Sequence, residues 1–354
     1  MPDTPWVRLS LRSGYTACSM RIDIFEKYAI LKQQKNQDQT GIPFKMNYQS
    51  LTDAAAALDT VSPEFAVDPE REKFLYHIDE LLREADCERS AELGRFYRSR
   101  VDRVIKEVSD YKDETPRFWK LYSSGFIIKD KNRTIAVDIN KGCVPGSGRT
   151  ALVMSDEQTG KLADLTDAYF CTHSHEDHIG PELCDALACR KKLIVMPQEA
   201  ITRWMITGAT PSENFQSRYC RTYLNWQGTD ERRGLDNSMY LFTLSNGKTV
   251  FVRGDIYHGS GFDLCLQTLD GWKEKADYTF MTPYYTSGTD PVMQLDRKYS
   301  CRFIPIHEWE FSHRPAGVTA KATQDFTELY QAFGTPYAAG RAQFLFWGES
   351  IVLD

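Results

Sequence analysis

The chain has 354 residues, room for about two average domains or one large one with additions. Hydrophobic residues at 42% and charged residues at 26% exclude a largely disordered chain. A net charge of −6, from 43 Lys and Arg against 49 Asp and Glu, gives no general attraction for nucleic acid.

No stretch reaches the ~18 consecutive apolar residues of a transmembrane helix. The opening residues, MPDTPWVRLSLRSGYTACSM, are broken by charge, Pro and Gly and lack a signal-peptide core. Nine cysteines, an odd number without a CxxC pair, suit buried thiols in a reducing compartment. The expectation is a cytoplasmic protein without a membrane partner.

In chain order, residues 1–115 read as a mainly helical N-terminal extension packed on a core. The polar run QQKNQDQT at 33–40 predicts a loop. Asp68-Pro69 predicts a helix start, with a capping acid, Pro at the first position and Glu70 and Glu72 at the positive end. Phe74, Ile78, Leu81, Leu82 and Ala85 then recur at helical spacing, and a second stripe runs through Leu93, Tyr97, Val101, Val104, Ile105 and Val108. These amphipathic stripes predict a packing layer, and His77 beside one of them is structural.

From Phe118 the pattern becomes β, so residues 116–354 read as the functional domain. Runs at 121–128 and 134–139 flank a Lys131-Asn132 turn and predict a hairpin ending at Asp138. A strand at 168–172 runs into His173. A helix (182–189), a strand (193–196) and another helix (199–206) follow. Strands at 239–244 and 249–252, joined through Asn246-Gly247, predict a hairpin ending at Gly254-Asp255. Strands at 278–282 and 303–306, a helix at 319–333 and a closing strand at 343–346 complete the chain. Asp138, His173, Asp255 and His307 thus each fall at a strand end, where α/β proteins collect their chemistry.

The central motif is His173-Ser174-His175-Glu176-Asp177-His178, or HxHxDH. With seven histidines in the chain, three at these offsets by accident is an event on the order of 10⁻³. Crowded imidazoles repel once protonated, and a divalent metal taking their lone pairs removes that cost. On a turn, His173 and His175 can face one ion while Asp177 and His178 face another. Mixed nitrogen and oxygen ligands suit zinc, manganese or iron.

HxHxDH after a strand, with Asp138 upstream, Gly254-Asp255 after a hairpin and His307 after a late strand, resembles the metallo-β-lactamase superfamily. The resemblance runs from Phe118 to the C-terminus. It implies an α/β fold, an αββα sandwich with one or two divalent ions, zinc or manganese, at one edge between two sheets. It also implies that His173 and His175 bind the first ion, that Asp177, His178 and His307 bind the second, and that Asp255 bridges them. Asp138 then orients the histidine loop from behind the ligands. IPIHEWEF around His307 is similar to the ascorbate-6-phosphate lactonase-like branch, where an aromatic-rich stretch follows the last metal histidine.

One departure stands out. The family's first ion takes a third histidine between HxHxDH and GD, and no histidine lies between His178 and His258. The corresponding stretch, YLNWQGTD at 223–230, offers Asn225, Gln227 and Asp230 as substitute ligands. An oxygen ligand there favours a harder ion such as manganese, or leaves the position weak.

His258, His313 and Arg314 lie near the metal motifs in sequence and are candidates for binding a substrate, with a solvated or packed role as the alternative. Trp226, Trp309 and Tyr284-Tyr285 flank motif positions and either wall a pocket or belong to the core. GCVPGSGRT at 142–150 has Arg for Lys and one spacer too many for a phosphate loop, so it reads as a loop rimming the site. The resemblance implies a metallo-hydrolase acting through metal-bound hydroxide on a small ester, lactone or phosphoester, with Asp177 and Asp255 required for catalysis. Two alternatives stay open: a superfamily nuclease on RNA or DNA, and a catalytically degenerate binding protein of the same fold.

Overall fold

The computed structural model describes residues 48–84, 91–142, 153–228, 233–256, 259–282, 290–311 and 324–354. The expected loop at 33–40, all but Gly142 of the loop expected at 142–150, and the pair Tyr284-Tyr285 lie outside the described residues. Residues 46–354 form one compact unit.

Three helices come first: α1 (Tyr48–Leu58), α2 (Pro69–Glu84) and α3 (Ala91–Asp110). Asp68 caps α2 as its sequence predicts, Oδ1 accepting the amides of Glu70 and Arg71 at 3.0 Å each. Leu75, Ile78, Leu81 and Leu82 of α2, with Leu93, Tyr97, Val101, Val104 and Val108 of α3, are buried. Polar anchors add direction to this packing. The Arg71 guanidinium donates to both oxygens of Glu349 at 2.8 and 2.5 Å, and Arg100 Nε donates to Trp347 O at 2.6 Å.

The remaining chain builds two sheets. The first contains β1 (Arg117–Lys120), β2 (Phe126–Asp130), β3 (Arg133–Val137), β4 (Ala168–Phe170), β5 (Leu193–Met196), β6 (Thr210–Pro211) and the last strand, β12 (Ser350–Val352). Their order is β12-β1-β2-β3-β4-β5-β6, antiparallel as far as β3 and parallel beyond it. The second sheet contains β7 (Cys220–Gly228), β8 (Arg233–Thr243), β9 (Thr249–Val252), β10 (Tyr278–Met281) and β11 (Arg302–Pro305), in the order β11-β10-β9-β8-β7. In it β9, β10 and β11 run parallel.

Both faces of each sheet are buried, with alternate residues serving opposite cores. Phe118, Phe126, Ile128, Val137 and Phe170 meet Tyr240, Phe242, Val252 and Phe280 between the sheets. The Phe118 and Phe280 rings cross at 4.8 Å, and Phe170 lies 4.9 Å from Phe242. The neighbouring residues Trp119, Ile127, Ala136, Tyr169, Phe251 and Phe303 face the helices instead. The helices after the first three are α4 (Asp156–Leu165), α5 (Pro181–Cys189), α6 (Gln198–Trp204), α7 (Gly259–Trp272), α8 (Pro291–Tyr299), α9 (Phe326–Ala332) and α10 (Gly334–Ala338). The chain is therefore an α/β sandwich of two sheets with helices outside them.

Three expectations need correction. The strand expected from residue 121 starts at Phe126, because 121–125 close a turn in which Leu121 N donates to Gly125 O at 2.8 Å and Gly125 N to Tyr122 O at 2.9 Å. Buried Leu121 and Tyr122 extend the apolar run without extending the strand. The closing strand expected at 343–346 is irregular; Phe344 and Phe346 pack with the helices, and β12 pairs with β1 instead. The helix expected from residue 319 begins, among the described residues, at Phe326, where Asp325 accepts the Glu328 amide at 2.9 Å. No helix among the described residues is long and apolar enough to cross a membrane.

Candidate metal centre

The parallel strands of both sheets deliver their C-terminal ends to one place. Asp138 follows β3, Thr172 to His178 follow β4, Gly254 and Asp255 follow β9, Thr282 follows β10, and His307 follows β11. At this rim the sheets are joined directly. Ser238 N donates to Thr172 O at 2.7 Å, and the Tyr240 hydroxyl donates to Cys171 O at 2.6 Å.

Asp138 sits in the left-handed region (φ 48°) and is fully buried. Its Oδ1 accepts Thr172 N at 2.7 Å, and its Oδ2 accepts the Thr172 hydroxyl at 2.7 Å and lies 2.9 Å from Nδ1 of His178. A carboxylate only accepts, so Nδ1 of His178 carries a proton and Nε2 is the atom directed inward. The Thr172 oxygen, its own proton given to Asp138, accepts from Nδ1 of His173 at 3.0 Å. That fixes the same tautomer in His173. One acid and one hydroxyl thus aim two imidazole nitrogens at the same space.

Around that space, His178 Nε2 lies 3.3 Å from Asp177 Oδ2 and 3.4 Å from Asp255 Oδ2. His307 Nε2 lies 2.8 and 3.5 Å from the same two oxygens. His173 Nε2 is 3.9 Å from Asp255 Oδ2 and 3.0 Å from Nδ1 of His175. Two triads have ligand atoms within 4.8 Å of one another: His173, His178 and Asp255, and Asp177, His178 and His307. The residues of both triads are buried, and His175 is half-buried. Nitrogen and oxygen ligands about 2.0–2.2 Å from one tetrahedral ion stand about 3.3–3.6 Å apart, and both His178 distances and the His307 to Asp255 distance match that spacing. Although enclosed by carboxylates, His178 Nε2 makes no hydrogen bond. Converging lone pairs and anions around a buried atom of this kind fit a divalent cation.

The charges agree. Burial raises the cost of ionising Asp177 and Asp255, yet His178 and His307 outweigh it and hold both carboxyls well below their usual range. Burial also opposes charge on His178, but Asp177, Asp255 and Asp138 push it well above its usual value. Burial and neighbouring His178 drive His173 well below, so it stays neutral.

Local structure explains each placement. The His178 and Ile179 amides both return to His175 O, at 3.1 and 3.0 Å, closing the histidine turn. Trp204 Nε1 donates to Ser174 O at 2.9 Å and ties that turn to α6. Asn237 Oδ1 accepts the Asp255 amide at 3.1 Å, while its Nδ2 donates to Arg253 O at 2.9 Å. Gly254 has φ 66°, and a Cβ there would meet Asn237 Oδ1 at 2.5 Å and Thr172 Cβ at 2.9 Å, so only glycine fits. The Thr282 hydroxyl holds Asp255 Oδ1 at 3.1 Å, leaving Oδ2 to the histidines. Arg253, fully buried, donates to Thr282 O at 2.5 Å, and burial lowers its pKa to about 10. Beside His307, burial pushes Glu308 up to about 7 against the pull of Lys120, and pushes Lys120 down.

Of the residues singled out in sequence, His173, His175, Asp177, His178, Asp255, His307 and Asp138 come together here. Asp230, His258, His313 and Arg314 lie outside the described residues. Asn225 is turned to α7, its amide donating to Gly261 O at 3.0 Å and its oxygen accepting the Trp226 amide at 2.8 Å. Gln227 is nearly buried at the register shift between Trp226 and Gly228. Trp309 belongs to the core, its Nε1 donating to Asp79 at 2.8 Å. Thr172, Asn237, Thr282 and Lys120 escape sequence reasoning, although Thr172 directly precedes the motif. A surface groove of about 870 Å³, lined by Arg103, Glu107, Arg117, Arg302 and Asp354, contains none of the candidate ligands.

The sequence matches no protein-family model and no curated protein. Solved structures of metallo-hydrolases do match. A possible metal-dependent hydrolase from Veillonella parvula is 14% identical, aligned over 69% of this chain and 100% of its own, at a TM-score of 0.49. The isothiocyanate hydrolase of Delia radicum gut bacteria is 16% identical over 67% of this chain and 99% of its own, at 0.47. A metallo-beta-lactamase fold protein from Bacillus subtilis, YhfI, is 13% identical over 67% and 99%, at 0.44. Likeness at this level assigns no residue a role.

Proposed function

We propose that this chain is a metal-dependent hydrolase of the metallo-β-lactamase type, binding one or two divalent ions, zinc or manganese, and acting on a small ester, lactone or phosphoester. The observation that carries the reading is the buried meeting of Asp177, His178, Asp255 and His307 at ligand spacing. In this reading Asp177, His178 and His307 hold one ion, His173 and His175 the other, and Asp255 both. A bound ion supplies Lewis acidity and lowers the pKa of water.

The chain's own residues supply the rest. Asp138 and Thr172 hold the Nδ1 sides of His178 and His173, which directs both Nε2 atoms inward. Thr282 and Asn237 hold Asp255 from two sides. Asp177 and Asp255 stay ionised, so their oxygens offer negative charge to a cation at neutral pH. Burial of His173, Asp177, His178, Asp255 and His307 strengthens the charge interactions among them, while His175 is half-buried.

The net charge of −6 favours a small molecule over a nucleic acid as the partner. The free thiols Cys171, Cys184, Cys189, Cys220, Cys265 and Cys301 support a reducing, cytoplasmic setting. Elemental analysis of protein purified without chelator, followed by a screen of lactones and phosphodiesters, tests the proposal. At least one zinc or manganese per chain and turnover of one substrate class are expected, and a metal-free, inert preparation refutes it.

A further inference from the structure

Lys120 ends β1 and Glu308 directly follows His307, and neither exposes any side-chain surface. The Lys120 ammonium lies 3.0 Å from Glu308 Oε1 and donates to Leu121 O at 2.8 Å and to Ser123 O. Ser123 O in turn accepts the amide of His307 at 3.2 Å. One cation therefore grips His307 on both sides, through the carbonyl that receives its N–H and through the side chain of the next residue.

The backbones it joins are unusual. Ser123 has φ 52°, His307 φ 77° and Trp309 φ 48°, all left-handed and none glycine. Such conformations persist where surrounding contacts over-determine them. Trp309 has its own anchor in Asp79, at 2.8 Å, and its amide donates to Gln324 O at 2.9 Å. The Lys120–Glu308 contact is the corresponding anchor on the His307 side.

Stability alone is a poor reason to keep this pair. Neither Glu308 oxygen achieves hydrogen-bond geometry, and a buried pair satisfied only in part is seldom better than apolar packing. Its place against His307 gives it another use. We propose that Lys120 and Glu308 are positioning residues, which pin the turn at 307–309 against the turn at 121–125 so that His307 Nε2 stays on Asp177 and Asp255. The inference rests on the metal-centre reading above. It concerns a buried charge pair that acts on the metal only through His307.

The test uses the full chain, as the parent, as Lys120→Met and as Lys120→Met/Glu308→Leu. Zinc affinity is measured by competition with a chromophoric chelator, and the visible spectrum of the cobalt form reports ligand geometry. Far-UV circular dichroism at the same temperature confirms folding. Zinc affinity about 10- to 100-fold weaker, with altered cobalt bands, is expected for both variants. If Lys120→Met does not fold, the double variant, which buries no charge, decides alone. A parent that holds no zinc overturns the metal-centre reading together with this inference. A parent that holds zinc, with folded variants that bind it within twofold and keep its cobalt spectrum, overturns this inference alone.

Discussion

Asp138 and His173 do not touch, yet the Thr172 hydroxyl joins them, 2.7 Å from Asp138 Oδ2 and 3.0 Å from His173 Nδ1. The same Asp138 oxygen contacts His178 directly at 2.9 Å. The two histidines are therefore held by one acid through links of different strength.

Thr172→Val keeps the shape of the side chain and removes the relay, together with the longer 3.3 Å contact of that hydroxyl with His178 Nδ1. His173 loses the group that fixes its tautomer, while His178 keeps its own. Affinity for metal at the His173 position should fall about 10-fold or more, with little change at the His178 position. Stepwise metal titration separates the two, and an equal loss at both positions would contradict the relay.

His178→Ala removes the residue common to both ligand triads. It should abolish most bound metal while far-UV circular dichroism stays native. Unchanged metal content would place the ion elsewhere.

The two positions should differ in strength. Asp177, His178, Asp255 and His307 crowd together on one side, whereas His173, among the described residues, has His175 at 3.0 Å, a longer approach to Asp255 and a share in His178, and Asn225 is committed to α7. Chelator titration should then release metal in two steps, or the protein should hold nearer one ion than two. Two equally tight ions would mean that a further ligand completes the first position.

Gly254→Ala should be severe for a surface-sized change. The added methyl group meets two buried neighbours at a backbone angle that alanine avoids. A loss of about 2–4 kcal/mol in unfolding free energy is expected, together with weaker metal binding through displacement of Asp255. Thermal unfolding and zinc affinity measured on one preparation check both.

Acid stability should depend on Asp59, away from the centre. Arg100 holds both of its oxygens, at 2.6 and 2.9 Å, and Arg103 adds a further contact. Burial favours the neutral acid, but the two arginines win and lower the pKa below 3.8. The folded value is the lower one, so this stabilisation is present above pH 3.8 and is lost as pH falls through the folded value. Asp59→Asn should cost about 1–3 kcal/mol at pH 7 and flatten the fall in Tm below about pH 4. An equally steep fall in the variant would assign the acid sensitivity to other carboxylates.

The candidate strand ends are legible in the sequence to different degrees. His173, His175 and His178 stand out as a rare residue type at fixed offsets, while Asp138, Asp255 and His307 are picked out only by their order around that motif. Their supports stand out in neither way. Thr172, Asn237 and Thr282 are common polar residues, and only the meeting of two sheets shows that they face the ligands. Two helices are hard to see in the sequence for similar reasons. Helix α4 carries a capping box, Ser155 with Gln158, which a sequence can display, but its apolar stripe is weak. Helix α7 has Phe262, Cys265 and Leu269 buried at helical spacing, diluted by glycines. The closing strand was displaced because Phe344 and Phe346 alternate like a strand while packing as a loop.

The joint between the sheets at Ser238 and Thr172 has a consequence for how the protein matures. The candidate ligands come from β4 in one sheet and from β9 and β11 in the other, and they meet only when that joint has closed. A chain emerging from the ribosome presents the histidine turn long before His307 exists. In the proposed metal-centre reading, an ion captured at that stage would have an incomplete set of donors and would leave readily. Loading would then be a late event, coupled to docking of the second sheet, and retained metal would report that the whole sandwich has closed.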